Sequence, residues 1–185
     1  MVSDAATTED ALLWDGRYRL VRTLGEGGMG RVILGHDRLQ GDRPVALKRL
    51  QPAVEAETPS FVREFLLHRQ LAHPNIPRAY ELGHARDGGV LCPYFTMEVA
   101  PGMPLHELVE RSERGLPLRA IVQVVTGLLR ALDHVHRHGY VHGDLKPGNL
   151  LVSERFEGLH LHLVDFGVGG PSGKERGEAV VTTPE

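Results

Sequence analysis

Cysteine is nearly absent from this chain. Cys92 stands alone among 185 residues, which excludes an internal disulfide and suits a reducing compartment. No apolar run approaches the roughly 18 residues a membrane span requires, and the N-terminus lacks a signal-peptide pattern. Residues 1–185 therefore read as cytoplasmic, with an anchor beyond residue 185 left open. Excess positive charge is missing too: a net charge of −3 gives no electrostatic reason to expect a nucleic-acid partner. There is no internal repeat and no low-complexity tract. What remains is an ordinary globular composition, 41% hydrophobic and 24% charged, at a length usual for one domain.

Lysine is the other scarcity. The basic residues divide into 18 Arg and 3 Lys. Arg is planar and fork-shaped, whereas Lys is a compact point charge. A chain that otherwise chooses Arg, yet keeps Lys48 and Lys146, marks two places where an ammonium is required. Lys174 lies in a polar loop and reads as ordinary.

Lys146 belongs to the stretch around which the chain is organised, His142-Gly143-Asp144-Leu145-Lys146-Pro147-Gly148-Asn149-Leu150-Leu151-Val152, with Val164-Asp165-Phe166-Gly167 after it. Pro147 and Gly148 prevent a helix, so the polar groups fall on a loop. Leu150–Val152 and the alternating Leu159–Val164 read as two short strands that hold Asp144, Asn149 and Asp165 at one mouth. One carboxylate can accept a proton from an attacking hydroxyl, while the amide and the other carboxylate are hard oxygen ligands suited to Mg2+. Alone, an Asp–Asn pair at this spacing is turn chemistry. Here two further motifs precede it. The stretch resembles the catalytic loop and metal-binding motif of protein kinases, H-R-D-x-K-x-x-N followed by D-F-G, with Gly143 where Arg is usual.

Taken in order, residues 1–15 read as a disordered lead-in. An alternating strand from Gly16 runs into Leu24-Gly25-Glu26-Gly27-Gly28-Met29-Gly30-Arg31-Val32. Dinucleotide-binding folds use the same glycines, but there they open a helix, and Arg31–His36 reads as a strand. Strand, glycine turn, strand is the protein-kinase arrangement, in which backbone N–H groups close over phosphates. Val45-Ala46-Leu47-Lys48 resembles the V-A-I-K motif, whose lysine holds the α- and β-phosphates. Thr58-Pro59 starts a helix that runs to Leu71, and Glu64, between Phe61 and Phe65, points inward and calls for a cation, with Lys48 the candidate. His68 would share that face, with core packing as its default role. Pro77–Glu81 and Val90–Val99 read as strands, Leu105–Ser112 and Leu118–Arg137 as helices. Apolar Ile121, Val125, Leu128, Leu132 and Val135 recur at helical spacing, and Gly139 reads as the helix stop. His134, His138 and His142 raise a zinc site; no cysteine or third ligand on a suitable scaffold supports it. Val168–Glu185 reads as a mobile segment containing Ser172, Thr182 and Thr183, and Thr183-Pro184-Glu185 resembles the end of a kinase activation segment.

The resemblance spans about residues 16–185, and Gly16–Leu20 with the glycine loop looks most like bacterial Ser/Thr kinases of the eukaryotic type. It implies an α+β, two-lobe fold. Residues 16–100 would form a small lobe of antiparallel sheet plus one helix, and 101–185 a partial, mainly helical large lobe ending in the activation segment. On this reading the chain is a fragment, and its large-lobe apolar surface is expected to stay partly exposed. The resemblance also implies ATP held by the glycine loop (Leu24 to Gly30) and Lys48, the latter paired with Glu64. Met97 would sit at the back of the nucleotide pocket, backbone groups of Glu98 and Ala100 would meet the adenine edge, and Val32, Ala46 and Leu151 would cover its faces. Asn149 and Asp165 would hold Mg2+, Asp144 would orient the acceptor hydroxyl, and Lys146 would neutralise the moving phosphoryl group. The expected partner is a protein with a Ser or Thr acceptor, this chain itself included. Two rivals share the fold. Small-molecule phosphotransferases often carry His-Gly-Asp, but Lys146 and the complete glycine loop with Asp165-Phe166-Gly167 favour a protein kinase. A pseudokinase is disfavoured by the presence of Lys48, Glu64, Asp144, Asn149 and Asp165 together.

Overall fold

A computed structural model describes residues 13–27, 30–51 and 58–167. Gly28 and Met29 of the glycine loop, and Ser172, Thr182 and Thr183 of the expected activation segment, lie outside the described residues. A six-stranded antiparallel sheet comprises β1 (Leu13–Trp14), β2 (Tyr18–Gly27), β3 (Gly30–Asp37), β4 (Arg43–Leu50), β5 (Ala79–Asp87) and β6 (Val90–Met97), in the order β1-β2-β3-β4-β6-β5. Strand β4 shows why these residues form a central strand. Its alternate side chains enter two separate cores: Ala46 and Leu50 pack with Phe61, Phe65, Phe95 and Met97, while Val45 and Leu47 pack with Tyr18, Ala85 and Tyr94. A strand apolar on both faces is stable only when both are covered.

The outer face is covered by residues expected in the disordered lead-in. Trp14 stands edge-on to Tyr94 at 6.2 Å between ring centroids, and the Tyr94 hydroxyl donates to Asp15. Trp14 and Asp15 thus belong to the fold, because the aromatic outer face of the sheet needs a lid and Trp14 supplies one.

Helix α1 (Thr58–Gln70) lies against the inner face. Its Phe61 and Phe65 enter the small-lobe core, whereas Leu67, followed by Leu71 and Ile76, enters a second core with Val124, Val135, Leu150, Leu161, Leu163 and Phe166. The expected lobe boundary at residue 100 therefore does not coincide with the division between cores. Asn75 pins the connection: its side-chain amide donates to the Leu161 carbonyl at 2.6 Å, and its own carbonyl accepts from the Leu163 N–H at 2.8 Å.

The second unit holds a three-stranded sheet, β7 (Met103–Pro104), β8 (Leu150–Arg155) and β9 (Gly158–Leu163), with α2 (Leu105–Glu110) and α3 (Leu118–Arg137). Helix α3 has the expected bounds and ends as expected: Gly139 takes φ +79°, Gly139 N–H donates to His136 and Tyr140 N–H to Val135. Its buried face is Ala120, Val124, Ala131 and Val135, with Leu128 and Leu132 partly covered. Of the apolar stripe, Ile121 and Val125 are exposed, beside Leu118, Val122 and Leu129, in line with the expectation that part of the large-lobe apolar surface stays uncovered.

Candidate active site

The turn that leads into β8 and β9 is built as its residue types demand. Pro147–Asn149 makes one 3-10 turn, after which Leu150 and Val152 turn into the core and Leu151, between them, faces the other way. The Asn149 side-chain amide donates to the Asp144 backbone carbonyl at 2.8 Å, to Asp144 Oδ2 at 3.0 Å and, more weakly, to the Asp165 carbonyl at 3.4 Å. Lys146 Nζ lies 2.6 Å from the same Asp144 Oδ2. The Lys146 hydrogen bond, helped by Asn149, holds the Asp144 carboxyl below the ordinary carboxylate range. Asp144 is therefore ionised at neutral pH.

His142 orders this loop from behind. Its Nδ1 accepts from the Asp144 N–H at 3.3 Å and its Nε2 donates to the Val164 carbonyl at 3.1 Å, so both ring nitrogens are engaged. Burial pushes its pKa down, and its ring packs on Phe166 at 4.6 Å. His134 and His138 stack on each other instead, at 4.4 Å; both His142 nitrogens being taken, the three do not share a ligand. Asp165 sits at φ +54°, in the left-handed region that Asp tolerates better than most residues, at a cost of about 1 kcal/mol or more.

From the other lobe, Lys48 on β4 reaches both carboxylates that matter: Glu64 Oε1 at 2.5 Å and Asp165 Oδ1 at 3.1 Å. Burial disfavours the charged form of Lys48, but Glu64 and Asp165 outweigh it and its pKa is raised. Glu64 is also pushed up by burial, which Lys48 opposes. With the ammonium retained between two carboxylates, Lys48 joins β4, α1 and the Asp165 loop in one polar network.

Around this network lie the other expected site residues. Leu24, Gly25, Glu26, Gly27 and Gly30 sit on the β2–β3 hairpin, whose arms are tied by an Arg31–Glu26 ion pair at 2.8 Å. A Cβ at Gly30 would overlap the Arg49 carbonyl, whereas one at Gly25 or Gly27 would meet nothing within 4 Å of its own chain. Val32 pairs with Lys48, and Ala46 with the buried Met97. Glu98 donates its N–H to the Arg78 carbonyl, so its own carbonyl is the group left to meet a ligand. Ala100 follows in the connection to β7. The polar network brings together Lys48, Glu64, Asp144, Lys146, Asn149 and Asp165; no side-chain hydrogen bond among the described residues ties the glycine hairpin to it.

Sequence reasoning missed the approach of Gly167 to Asp144, and the structure gives His68 the core-packing role expected of it by default. An ideal Cβ on Gly167 would stand 2.6 Å from the Asp144 Cβ, so the glycine after Phe166 sets the approach of one motif to the other. His68 is fully buried, with Nδ1 3.1 Å from the Pro77 carbonyl and its ring edge-on to Phe166 at 4.7 Å. Burial pushes its pKa down to about 4, so it is a neutral packing residue. Only the odd placement of a histidine on an apolar helix face pointed to it.

A small antiparallel sheet with one helix, joined through a lysine–carboxylate network to a carboxylate–amide loop, defines the two-lobe protein-kinase class of fold. Comparison with known proteins agrees. The family model described as protein kinase domain matches residues 18–185, and the chain belongs to that family. Among curated relatives, a probable serine/threonine-protein kinase of Streptomyces coelicolor is 36% identical over 162 residues, 85% of this chain and 23% of that protein. The DNA damage-responsive serine/threonine-protein kinase RqkA of Deinococcus radiodurans is 38% identical over 154 residues, 83% of this chain and 22% of the relative. The chain thus spans about a quarter of the length of the curated relatives it matches. The crystal structure of a PknI kinase-domain double mutant from Mycobacterium tuberculosis aligns with TM-score 0.69 at 27% identity, covering 88% of this chain and 63% of that one. No helix among the described residues is long and apolar enough to cross a membrane.

Proposed function

We propose that this chain carries the phosphoryl-transfer centre of an ATP-dependent serine/threonine protein kinase. The observation that carries the reading is the continuous network from Lys48 through Asp165 to Asn149 and Asp144. Such a network can grip a polyphosphate at one end and an acceptor hydroxyl at the other. The names of the relatives favour a protein acceptor over a small molecule.

Lys48 supplies a fixed ammonium for the α- and β-phosphates, and the bare backbone at Gly25 and Gly27 lets the β2–β3 hairpin approach them. Val32, Ala46 and Leu151 cover the faces of the base, and the Glu98 carbonyl and Ala100 backbone meet its edge. The donor set fits Mg2+. The Asn149 amide nitrogen is committed to Asp144, which turns its oxygen away, and Asp165 spends one oxygen on Lys48 and keeps the other. When bound, Mg2+ would neutralise phosphate charge. Asp144, ionised and fixed by Lys146 and Asn149, orients the acceptor hydroxyl and takes its proton as the phosphoryl group moves. Lys146 screens the charge that develops there.

The test is a transfer assay with radiolabelled ATP and a generic protein acceptor on the full natural protein. Asp144→Asn should lower the rate by about 100-fold or more, with nucleotide affinity nearly unchanged. Full activity in that variant would end the assignment.

A further inference from the structure

Five of the histidines outside this chemistry, His73, His134, His138, His160 and His162, gather at the segment that joins α1 to β5. His73 and His134 lie 5.1 Å apart between ring centroids, His134 and His138 4.4 Å, and His160 and His162 4.7 Å. His160 Nε2 donates to the Pro74 carbonyl at 3.1 Å, so the β9 pair meets the same loop that His73 opens. That loop is held by Asn75, which bonds Leu161 and Leu163 on β9.

The chemistry around His73 and His134 opposes protonation. His73 Nδ1 accepts the Asn75 N–H at 3.2 Å. A proton on that nitrogen would turn the acceptor into a donor facing a donor, breaking the turn that presents Asn75. His134 Nε2 is buried without a partner. Burial lowers the pKa of both His73 and His134, and neighbouring cations lower them further. The charged groups facing them are Arg130, Asp133 and Arg137 on α3, besides the histidines themselves. Asp133 is the one carboxylate among these, and Arg137 already pairs with it at 3.0 Å. Asp133 favours a proton on His134, but burial and the neighbouring cations outweigh it.

We propose that the docking of His73–Ile76 onto α3 and β9 is an acid-sensitive joint, closed while His73 and His134 are neutral and opened when they are protonated. Folded-state values below the ordinary 6.5 mean that the joint's contribution is whole above about pH 6.5 and is lost as the pH falls below it. Because α1 ends at this joint and carries Glu64, opening frees the helix that holds Lys48.

The test is hydrogen–deuterium exchange on the full natural protein, corrected for the intrinsic pH dependence, over peptides spanning Leu71–Pro77 and Leu159–Val164. It reads the joint whether or not the kinase assignment holds. Between about pH 7.5 and 5.5 the wild type should lose about tenfold or more of its protection there. His73→Asn keeps an acceptor for the Asn75 N–H through an Asx turn but cannot titrate. Combined with His134→Gln, it should hold the loss to about threefold or less. His138→Gln, at an exposed ring, should give an intermediate loss. Equal losses in wild type and both variants, or no loss in the wild type, would overturn the proposal.

Discussion

Replacing Asn149 by Asp changes one atom and reverses the electrostatics of the Asp144–Asn149 loop. In the wild type the Asn149 amide nitrogen stabilises the Asp144 carboxylate. In Asn149→Asp a carboxylate oxygen would face Asp144 Oδ2 across the same 3.0 Å. Two unit charges at that distance repel by about 1.4 kcal/mol in water and about 5.5 kcal/mol at an effective dielectric of about 20. The Asp144 side chain is 46% exposed and keeps its Lys146 partner, which puts the penalty toward the lower figure. The Asp144 carboxyl of the variant therefore titrates at a higher pH than that of the wild type. The sign is clear: the wild-type group is held low and stays ionised as pH falls, whereas the variant picks up a proton at higher pH. A 13C NMR titration of that carboxyl, without nucleotide or metal, measures the shift directly. The transfer rate at neutral pH should fall about 10- to 100-fold, because Asp144 also loses the donors that orient it. A variant whose Asp144 titrates with the wild type and whose rate is unchanged would refute the argument.

Two further outcomes are expected. Gly167→Ala forces a Cβ to within 2.6 Å of Asp144, so it should cost about 1–3 kcal/mol in thermal or denaturant unfolding and lower the transfer rate as well. Gly143 offers no guanidinium to pair with a phosphorylated segment, so phosphatase treatment should change the rate by less than about tenfold; a larger drop contradicts this.

Much of the candidate site's polar network was legible because its residues sit in short, ordered motifs. Lys48, Asp144, Asn149 and Asp165 could be named from residue type and spacing, and the Lys48–Glu64 pair from one acid on an apolar helix face. Strand, glycine turn, strand followed from β-rich residues flanking the glycines. What stayed hidden depends on packing between distant segments. A two-residue strand such as β1 has no periodicity, so Trp14 looked like part of a polar lead-in. Helical spacing in α3 revealed an apolar surface, part of it expected to stay exposed, but not which residues β9 covers. The Gly167–Asp144 approach spans two motifs whose separation in space no local pattern records.

Helix α1 feeds Phe61 and Phe65 to one core and Leu67 to the other, with Leu71 and Ile76 following it there. Each such large side chain is worth about 2–5 kcal/mol to the core that owns it. A chain cut at the lobe boundary would leave Leu67, Leu71 and Ile76 in water, so the upper lobe cannot be excised as a self-sufficient piece. The same sharing makes melting cooperative: loss of order in either core withdraws the helix from the other, and the two lobes come apart as one thermodynamic unit.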